Sequence, residues 1–422
     1  MNMLVNSLCL LLIQSFMFIS VCQFVPESRY EQTSTLVNTK IYIFGGNTGK
    51  SNFTNEVVYL NLSSPLNTAK PLWVKNTIGI PSAEILATSC LSSIDKSTVY
   101  IIGGQTHDPT NQNLINPPLV NAFNSITSQW TTVTTTGFYN YSITLDRMQA
   151  VMNNDGKIYI FGGKEVDYSV GDTNYGPYIN KMNVLDTKAL TWSSLNITNN
   201  VPTLRVSYTA TLLSNGLIIY IGDFEMINSA KTNVNMNEQV NGNTIAPRNA
   251  HSAVLTNDGR IIIFGGNSAN STSRATTLRA QPDVAVLNTN ISPYQWSIPS
   301  ISSINSPQSL CFHSAEIYNN IMIIAFGIVT SDQLQTTETL NNNIYLFDVQ
   351  NYAWISSTST VSISNAPTSA APSSTAPKST KSSILPANVK ETSTNHNSNY
   401  MTIGISLVQF SDAIILLLKA TI

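Results

Sequence analysis

One short segment, an apolar run followed by a pair of glycines, recurs along the chain and constrains the fold more than any other feature. Its clearest form is Ile41-Tyr-Ile-Phe-Gly-Gly46. The copies, two of them divergent, lie at 41–46, 99–104, 158–163, 219–223, 260–266 and 323–327. An apolar run rich in β-branched and aromatic residues predicts a strand buried on both faces. The glycines predict backbone that adopts positive φ or passes close to a bulky neighbour.

The spacing of these glycines indicates a repeat architecture. Counted from the first glycine of each copy, the positions are 45, 103, 162, 222, 265 and 327, and the intervals are 58, 59, 60, 43 and 62 residues. A period of this size is typical of propellers, solenoids and other arrays. A repeat fold also suits a chain of 422 residues, because each unit buries its faces against its neighbours and no single oversized core is needed.

Each repeat carries four strand signals. The first strand ends at a tight turn such as Asn257-Asp-Gly259, which favours a hairpin because Asn and Gly tolerate positive φ. The second strand is the apolar run, and the third is clearest at 57–62, 181–186 and 343–348. The fourth is short and centred on a tryptophan. All five tryptophans of the chain fall at this position: Trp73, Trp130, Trp192, Trp296 and Trp354.

This pattern resembles the kelch repeat. Its marks are the glycine doublet, then Tyr-x-x-Asp/Asn, then Trp, and Asp186 precedes Trp192 by the same spacing as Asp348 precedes Trp354. The resemblance covers residues 29–356 and implies an all-β, six-bladed kelch-type β-propeller of four-stranded blades around a central channel. It also implies that the aromatic residue of each fourth strand packs near the glycines of the second strand, where glycine leaves room for an indole.

The repeat pattern predicts a propeller domain over 23–356 and assigns structural roles to its tryptophans and glycines. The units are predicted at about 29–76, 84–133, 146–194, 205–244, 248–298 and 311–356. The structural glycines are Gly45, Gly46, Gly103, Gly104, Gly162, Gly163, Gly222, Gly265, Gly266 and Gly327.

The fourth unit departs from the pattern. It is short, it lacks a tryptophan, and Asp223 replaces its second glycine. Two inner strands are expected at 205–213 and 217–222, and 231–239 is the candidate for a third. We therefore predict a degenerate fourth blade that has lost its outer strand. Because the first unit begins with a first strand and the last ends with a fourth, ring closure is expected from packing between units one and six.

Strand order places the long loops on one face. In an up-and-down blade, the loop between the second and third strands emerges on the same face as the connection to the next blade. These loops are long and variable, at 47–55, 105–118, 164–178, 267–282 and 328–341. Long loops on a rigid scaffold make this face the expected binding surface. The alternative is that loop length drifts freely on an exposed rim.

Arginines recur near the start of the first strand, at Arg29, Arg147, Arg205 and Arg248. Arginine side chains at a channel mouth could bind an acidic group. Their repetition at similar positions favours a structural role instead, in which they hydrogen-bond carbonyl groups between blades.

No catalytic constellation stands out. Galactose oxidase shares the kelch propeller and holds copper with His and Tyr side chains, but this repeat domain has only His107, His251 and His313. His251 and His313 lie in the same triplet, His-Ser-Ala, so a structural role is expected. We predict a non-catalytic module that binds protein or glycan through its loop face, without cofactor or metal. The alternative is a galactose-oxidase-like copper radical oxidase or another propeller enzyme.

One acidic loop is a candidate metal site. Glu165, Asp167 and Asp172 share it and could bind a hard cation, although a solvated acidic loop is the simpler interpretation.

Composition and the N-terminal segment predict a secreted or cell-surface protein. Residues 1–22 have the apolar core of a signal peptide, with an uncleaved membrane anchor as the alternative. Charged residues make up only 10% of the chain and the net charge is −2, which argues against a nucleic-acid partner. Cys90 and Cys311 are expected to be buried free thiols. Six glycosylation sequons are present, at Asn52, Asn61, Asn140, Asn196, Asn270 and Asn290.

The C-terminal part predicts a stalk and a tail. Residues 357–400 are rich in Ser, Thr and Pro and are expected to form a disordered, O-glycosylated stalk. Residues 401–422 are mostly apolar and predict membrane attachment. A transmembrane helix is weakened by Gln409 and Asp412 near its middle, and a glycolipid-anchor signal or free secretion remain as alternatives. The propeller itself is expected to be monomeric.

Overall fold

The computed structural model describes most of the predicted repeat domain. The described residues are 23–49, 52–116, 119–138, 143–167, 174–197, 202, 204–222, 224–227, 230–233, 240–268, 277–333, 337–358 and 406–409. Within these ranges the regular structure is β-strand and no helix occurs, which confirms the all-β prediction. No helix in the described part is long and apolar enough to cross a membrane. The predicted signal peptide, and the stalk and tail apart from 357–358 and 406–409, lie outside the described residues.

The strands are numbered in chain order. In the first two repeats they are β1 (Thr33–Val37), β2 (Lys40–Phe44), β3 (Val57–Asn61), β4 (Trp73–Lys75), β5 (Ala83–Ile85), β6 (Thr88–Leu91), β7 (Thr98–Ile102), β8 (Gln105–His107), β9 (Val120–Asn124) and β10 (Gln129–Thr132). In the next two they are β11 (Ile143–Asp146), β12 (Ala150–Met152), β13 (Lys157–Phe161), β14 (Lys164–Asp167), β15 (Asn174–Tyr178), β16 (Met182–Asp186), β17 (Thr191–Leu195), β18 (Thr209–Leu212), β19 (Leu217–Ile221), β20 (Phe224–Ile227) and β21 (Ala230–Asn233). The remainder are β22 (Asn241–Gly242), β23 (Ser252–Leu255), β24 (Arg260–Phe264), β25 (Val284–Asn288), β26 (Gln295–Ser297), β27 (Leu310–Cys311), β28 (Ser314–Tyr318), β29 (Ile321–Ala325), β30 (Ile328–Val329), β31 (Ile344–Asp348), β32 (Ala353–Ile355) and β33 (Ser406–Gln409).

Each repeat contributes one main sheet, built around its apolar run. Four of these sheets are antiparallel and four-stranded, with the orders β1-β2-β3-β4, β6-β7-β9-β10, β12-β13-β16-β17 and β28-β29-β31-β32. The fifth, β23-β24-β25-β26, carries β22 as an additional parallel strand at its outer edge. The fourth, β18-β19-β33, has three strands in the described part of the chain.

The first strands of these sheets contact one another in a closed circle. β1 contacts β6 and β28, β12 contacts β6 and β18, and β23 contacts β18 and β28. A ring of small antiparallel sheets is consistent with the propeller that the repeat pattern implied.

The hydrophobic cores lie between neighbouring sheets. In β24, as in β2, β13, β19 and β29, the last four residues are buried. One core joins Ile43 and Val58 of the first sheet to Ile323 and Leu346 of the sixth. Each full burial of such a side chain stabilises the fold by about 1.5–3 kcal/mol. No sheet completes a core alone, so the repeats stabilise one another.

Packing between the first and sixth sheets closes the ring, as the sequence predicted. The rings of Trp73 and Phe326 pack at 5.3 Å, and Ser34 Oγ donates a hydrogen bond of 2.7 Å to Glu316 Oε1. A short backbone pairing adds to this: Thr68 N–H donates to the Ser356 carbonyl at 2.9 Å. No sequence pattern predicted that pairing.

The fourth sheet differs from expectation in its third strand. Its own repeat supplies β18 and β19, and a fourth strand is absent from this sheet in the described part of the chain. The expectation that 231–239 forms the third strand was wrong. β21 pairs with β20 in a separate hairpin, 234–239 lies outside the described residues, and β33 from the C-terminal segment occupies the third position.

The sixth copy of the motif is shifted by one residue. Gly46, Gly104, Gly163 and Gly266 each donate a backbone hydrogen bond to a carbonyl of the next sheet, and Gly327 does the same to Arg29 of the first sheet. Gly327 therefore corresponds to the second glycine of the motif, not the first. Phe326 occupies the first position, with a φ of 64°. The glycine spacing alone could not show this, because an aromatic residue stands where the motif has glycine.

The tryptophans pack across sheets rather than against the glycines of their own sheet. Trp130 lies edge-on to Phe44 of the preceding sheet at 5.9 Å, and Trp354 lies edge-on to Phe264 at 5.3 Å. All ten glycines of the motif have positive φ. A Cβ atom on Gly222 would lie 2.5 Å from the Arg248 carbonyl oxygen, so the glycines make room for the next sheet's backbone and not for an indole.

Candidate functional site: the entry face

A circle of six backbone hydrogen bonds joins the sheets where the chain enters each first strand. Each N–H donates to the carbonyl of the preceding member at 2.8–3.3 Å, and the last bond returns from the first member to the sixth. The members, which we call the entry ring, are Glu31, Leu86, Arg147, Ser207, Ala250 and Phe312. The face of the molecule that carries them is called the entry face.

All six members of the entry ring have positive φ, between 53° and 59°, although none is glycine. The left-handed conformation costs an ordinary residue about 1–2 kcal/mol. Six equivalent residues adopt it only because the surrounding sheets determine the backbone at these points. The sequence did not reveal this ring, since its members share no side-chain chemistry. The one available signal is position, two residues after Arg29 and its counterparts.

A cavity of about 140 Å³ opens at the entry ring and is lined by its members and by the residue that follows each. Glu31, Arg147 and Phe312 are partly exposed there. The mouth of the channel therefore presents a carboxyl group, a guanidinium group and an aromatic ring on a rigid frame.

The described parts of the long loops emerge on the same face, beside the entry ring. The loop segments β8, β14 and β30 pair with the strands β5, β11 and β27, which lead into the entry ring. Neighbouring loops also contact each other: the rings of Phe53 and His107 stack at 3.9 Å. Gln112 accepts a hydrogen bond from Phe53 N–H at 2.7 Å and donates to the Phe53 carbonyl at 3.2 Å. Loops fixed to one another in this way form a defined rim.

Three of the four repeated arginines are buried and structural. Arg29 donates to Glu56 Oε2 at 2.8 Å and to the Gly45 carbonyl at 3.2 Å, while Arg248 donates to the Gly265 carbonyl at 2.8 Å. These carbonyls belong to the arginine's own repeat, so the expected bonds between blades are corrected to bonds within one repeat. Arg205 is equally buried. Burial lowers the pKa of Arg248 to about 10, so its guanidinium stays charged at neutral pH.

Arg147 does not share the register of the other three arginines. It lies in the entry ring, two residues beyond their position, and its side chain remains 13% exposed. Its guanidinium lies 3.9 Å from Asp146 Oδ2. Arg147 is therefore the one member of the set placed to contact a ligand at the mouth.

His251 and His313 form part of the scaffold between sheets. His251 Nε2 lies 3.0 Å from Thr209 Oγ1 of the preceding sheet, and His313 Nε2 lies 2.8 Å from Ser252 Oγ. Burial lowers the pKa of His313 to about 3, and burial together with the nearby Arg248 charge holds the pKa of His251 well below its usual value. Both imidazoles are therefore neutral at physiological pH and engaged with hydroxyl groups.

No metal centre is apparent in the described part of the chain, where no three His, Cys, Asp or Glu side chains come together as a ligand set. His107 belongs to the rim, stacked on Phe53. Glu165 and Asp167 lie on β14, and Asp172 is outside the described residues. Cys90 and Cys311 are buried free thiols, as predicted.

The sequons differ in accessibility. Asn52, Asn196 and Asn290 are exposed, whereas Asn61 is half-buried at the end of β3 and accepts a hydrogen bond from Ser63 N–H at 3.0 Å. Asn140 and Asn270 lie outside the described residues.

Comparison with protein families gives a match over the first half of the chain. A family model described as the KLHDC2/KLHL20/DRC7 Kelch-repeats domain matches residues 13–222. The chain is 22% identical over 320 residues to acyl-CoA-binding domain-containing protein 4 of Arabidopsis thaliana, covering 72% of this chain and 43% of that protein. It is 24% identical over 260 residues to Kelch domain-containing protein 3 of Bos taurus, covering 58% of this chain and 62% of that one. The chain thus spans less than two thirds of these relatives.

Comparison with solved structures supports the fold. The structure of YjhT matches with a TM-score of 0.52 and 15% sequence identity, covering 79% of this chain and 98% of that one. At this identity the likeness concerns the fold alone.

Proposed function

This chain belongs to the kelch-repeat family, and from that premise we propose that it is a six-bladed propeller that binds a protein partner through its entry face, without catalysis. Each main sheet is one blade, and the fourth is the degenerate one. No cofactor is part of the proposal.

The observation that carries this proposal is the chemistry of the mouth. Arg147 and Phe312 stand at the entry ring, and arginine and aromatic residues are the types enriched at protein interfaces and their hot spots. Glu31 adds a carboxylate to the same mouth. Because the backbone circle holds these residues rigidly, little conformational entropy is lost when a partner docks.

The size of the cavity favours a protein over a small molecule. Its volume of about 140 Å³ is well below the roughly 300–1,000 Å³ that encloses a drug-sized ligand. A cavity of this size suits a single side chain that projects from a docked surface. The rim formed by Phe53, His107 and Gln112 then supplies the surrounding contact area.

The oxidase alternative is disfavoured by the roles of the histidines. His251 and His313 are neutral, buried and directed at hydroxyl groups of the adjoining sheets. One ring nitrogen of each is already engaged with a hydroxyl, and in the described part of the chain no set of three His, Cys, Asp or Glu side chains includes them.

We further propose that the protein acts in the secretory pathway, at the cell surface or outside the cell. The apolar segment 1–22 and the sequons support this, and Asn52 and Asn196 are exposed and lie outside the strands, where a glycan can be attached without disturbing the sheets. A monomeric propeller is proposed, since its six blades bury their faces on one another.

The test is a binding measurement with the full chain from a secretory host, probed against arrays of cell-surface proteins and of glycans. We expect saturable binding to a protein that Arg147→Ala and Phe312→Ala each weaken roughly tenfold or more. Ile126→Ala is the matched control, because Ile126 is a 78% exposed apolar residue in the turn between β9 and β10, on the opposite face. Binding to glycans alone, or binding lost with Ile126→Ala and kept in both ring variants, contradicts the proposal.

A further inference from the structure

The fourth sheet contains an open strand position that its own repeat does not fill. β18 and β19 supply the first two strands, and the motif then recurs after only 43 residues, against 58 to 62 elsewhere. β20 and β21 pair with each other, and β22 joins the outer edge of the fifth sheet. Within the described residues of this repeat, β18 is the one strand that pairs with β19.

Leaving the position beside β19 without a strand would destabilise the folded protein. Ile218, Ile219, Tyr220 and Ile221 are each at most 1% exposed, so β19 is a core strand of the molecule. The N–H and C=O groups along an unpaired edge lose hydrogen bonds when they are withdrawn from water. An open apolar edge is also a template for aggregation. Some strand must therefore cover β19 in a stable molecule.

β33, from the C-terminal segment, occupies that position. It runs antiparallel to β19 over four consecutive pairs and gives the sheet order β18-β19-β33. In the other main sheets, the same place beside the second strand belongs to the third strand of the repeat. The pairs are Leu217 with Gln409, Ile218 with Val408, Ile219 with Leu407 and Tyr220 with Ser406.

The sequence of β33 fits the register of a third strand. In the other five sheets, the residue opposite the first position of the second strand is polar: Asn61, Asn124, Asp186, Asn288 and Asp348. Gln409 lies opposite Leu217, the first position of β19. The two preceding residues are apolar in β33, Leu407-Val408, as they are in β25, Val286-Leu287. The polar and apolar positions of β33 therefore match those of the third strand in the other repeats.

Glutamine at this position also suits a sheet that has three strands in the described part of the chain. Asp186 and Asn288 each accept a hydrogen bond from the N–H two residues on, at 2.9 Å and 3.0 Å, which begins the turn into the fourth strand. The glutamine side chain is one methylene longer and does not favour that Asx turn.

We propose that residues 406–409 are the third strand of the fourth blade, supplied by the same chain from beyond the Ser/Thr-rich segment. Residues 406–409 then complete the fourth blade, and as a paired strand they do not form part of a membrane-spanning helix. The connection is long enough, because an extended chain over 359–405 spans more than roughly 100 Å. The same strand supplied by a second copy of the chain, or a segment embedded in a membrane, are the competing outcomes.

The first experiment measures hydrogen exchange of the full chain by mass spectrometry. Leu407→Pro/Val408→Pro removes two N–H donors from the paired strand, whereas Ile414→Pro/Leu416→Pro makes an equally apolar-to-proline change outside it. We expect amides of 217–221 to exchange roughly tenfold faster or more in the first variant alone, with 260–264 unchanged in both. Unchanged exchange in the first variant, or equal loss in both, overturns the proposal.

A cross-link decides the matter if the proline variant fails to fold. Leu217→Cys with Gln409→Cys places two cysteines at directly opposed positions of an antiparallel pair, within reach of a disulfide. Leu217→Cys with Ala413→Cys is the control. Cys9 and Cys22 are replaced by Ser in both variants, and the buried Cys90 and Cys311 do not compete. We expect an intrachain disulfide in the first pair and none in the control. Covalent dimers overturn supply by the same chain, and no disulfide in the first pair overturns the pairing.

Discussion

A Cβ atom on Gly162 would lie 2.7 Å from the carbonyl oxygen of Arg205 in the next sheet. The adjacent Gly163 N–H donates to the same oxygen at 3.1 Å. The glycine pair is therefore the point where one blade contacts the backbone of the next. This explains why the motif recurs once per blade, whatever the loop that follows it.

Gly162→Ala should destabilise the protein by about 3 kcal/mol. Its φ is 72°, and the added methyl group must displace a backbone carbonyl that is hydrogen-bonded across the blades. Gly49→Ala is the control, because its φ of 105° is no more favourable but its new Cβ would meet only Leu340 Cδ1, at 3.5 Å. Denaturant unfolding should give Gly162→Ala the larger loss by about 2 kcal/mol. Equal losses would mean that backbone strain, not crowding, explains the glycine.

Replacing two buried arginines by methionine should reduce the stability of the protein by different amounts. Arg29→Met should destabilise by about 3 kcal/mol, because Arg29 pairs with Glu56 at 2.8 Å and that carboxylate loses a partner. Arg248→Met should cost only about 1 kcal/mol, since no carboxylate of the described residues lies within ion-pair distance of Arg248 and the variant removes hydrogen bonds to two neutral carbonyls, those of Ala246 and Gly265. Denaturant unfolding of both variants at pH 7 measures which of them loses more stability. A larger loss for Arg248→Met would contradict it.

The sequence predicted features that repeat in residue type and missed those that repeat only in backbone conformation. The apolar runs, the glycines and the tryptophans have recognisable side chains, so strands such as β2 and β24 were placed correctly. The entry ring was missed because Glu31, Ser207 and Phe312 share a φ value and a hydrogen bond, but no chemistry.

The pairing of β33 was missed for a different reason. A short apolar segment near the C-terminus predicts a tail when it is considered alone. Its pairing partner, β19, is about 190 residues away in the sequence, and only the structure shows that β19 has an open edge. Conversely, the face of the molecule with the long loops followed from strand order alone, whereas the residues proposed to bind a partner on that face did not.

Glu84 should make stability fall as the pH rises. It takes the arginine position of the second repeat, is 5% exposed, and its pKa is raised to about 8 by burial. The folded state then holds a proton that the unfolded chain has released, so stability declines between about pH 4.5 and pH 8. Glu84→Gln should remove this decline and be more stable than the parent by roughly 2–4 kcal/mol at pH 8, with little difference at pH 4.5.

The difference between parent and variant isolates Glu84, because His313 and Glu316 titrate identically in both. Thermal unfolding across this pH range is the measurement. Glu338→Gln is the control, since Glu338 is exposed, and its curve should follow the parent. A Glu84→Gln curve parallel to the parent would show that Glu84 is ionised in the folded protein.

The contact between Phe326 and Trp73 should stabilise ring closure in spite of backbone strain. Phe326 is fully buried with a φ of 64°, at the position where the other repeats have glycine, and its ring packs on Trp73 at 5.3 Å and under the Arg29 guanidinium at 5.3 Å. Phe326→Gly relieves about 1–2 kcal/mol of strain but loses about 3–5 kcal/mol of aromatic packing. The net loss should be about 2 kcal/mol.

A double-mutant cycle tests the cause of that loss. If the contact with Trp73 is responsible, Phe326→Gly, Trp73→Ala and the double variant should show a coupling of about 1 kcal/mol. Trp192→Ala replaces Trp73→Ala in the control cycle, because Trp192 packs on Phe138 between the second and third blades, away from the closure. No coupling with Trp73, or a gain in stability from Phe326→Gly, would mean that strain outweighs packing and that the ring is closed mainly by the backbone bond from Gly327 to Arg29.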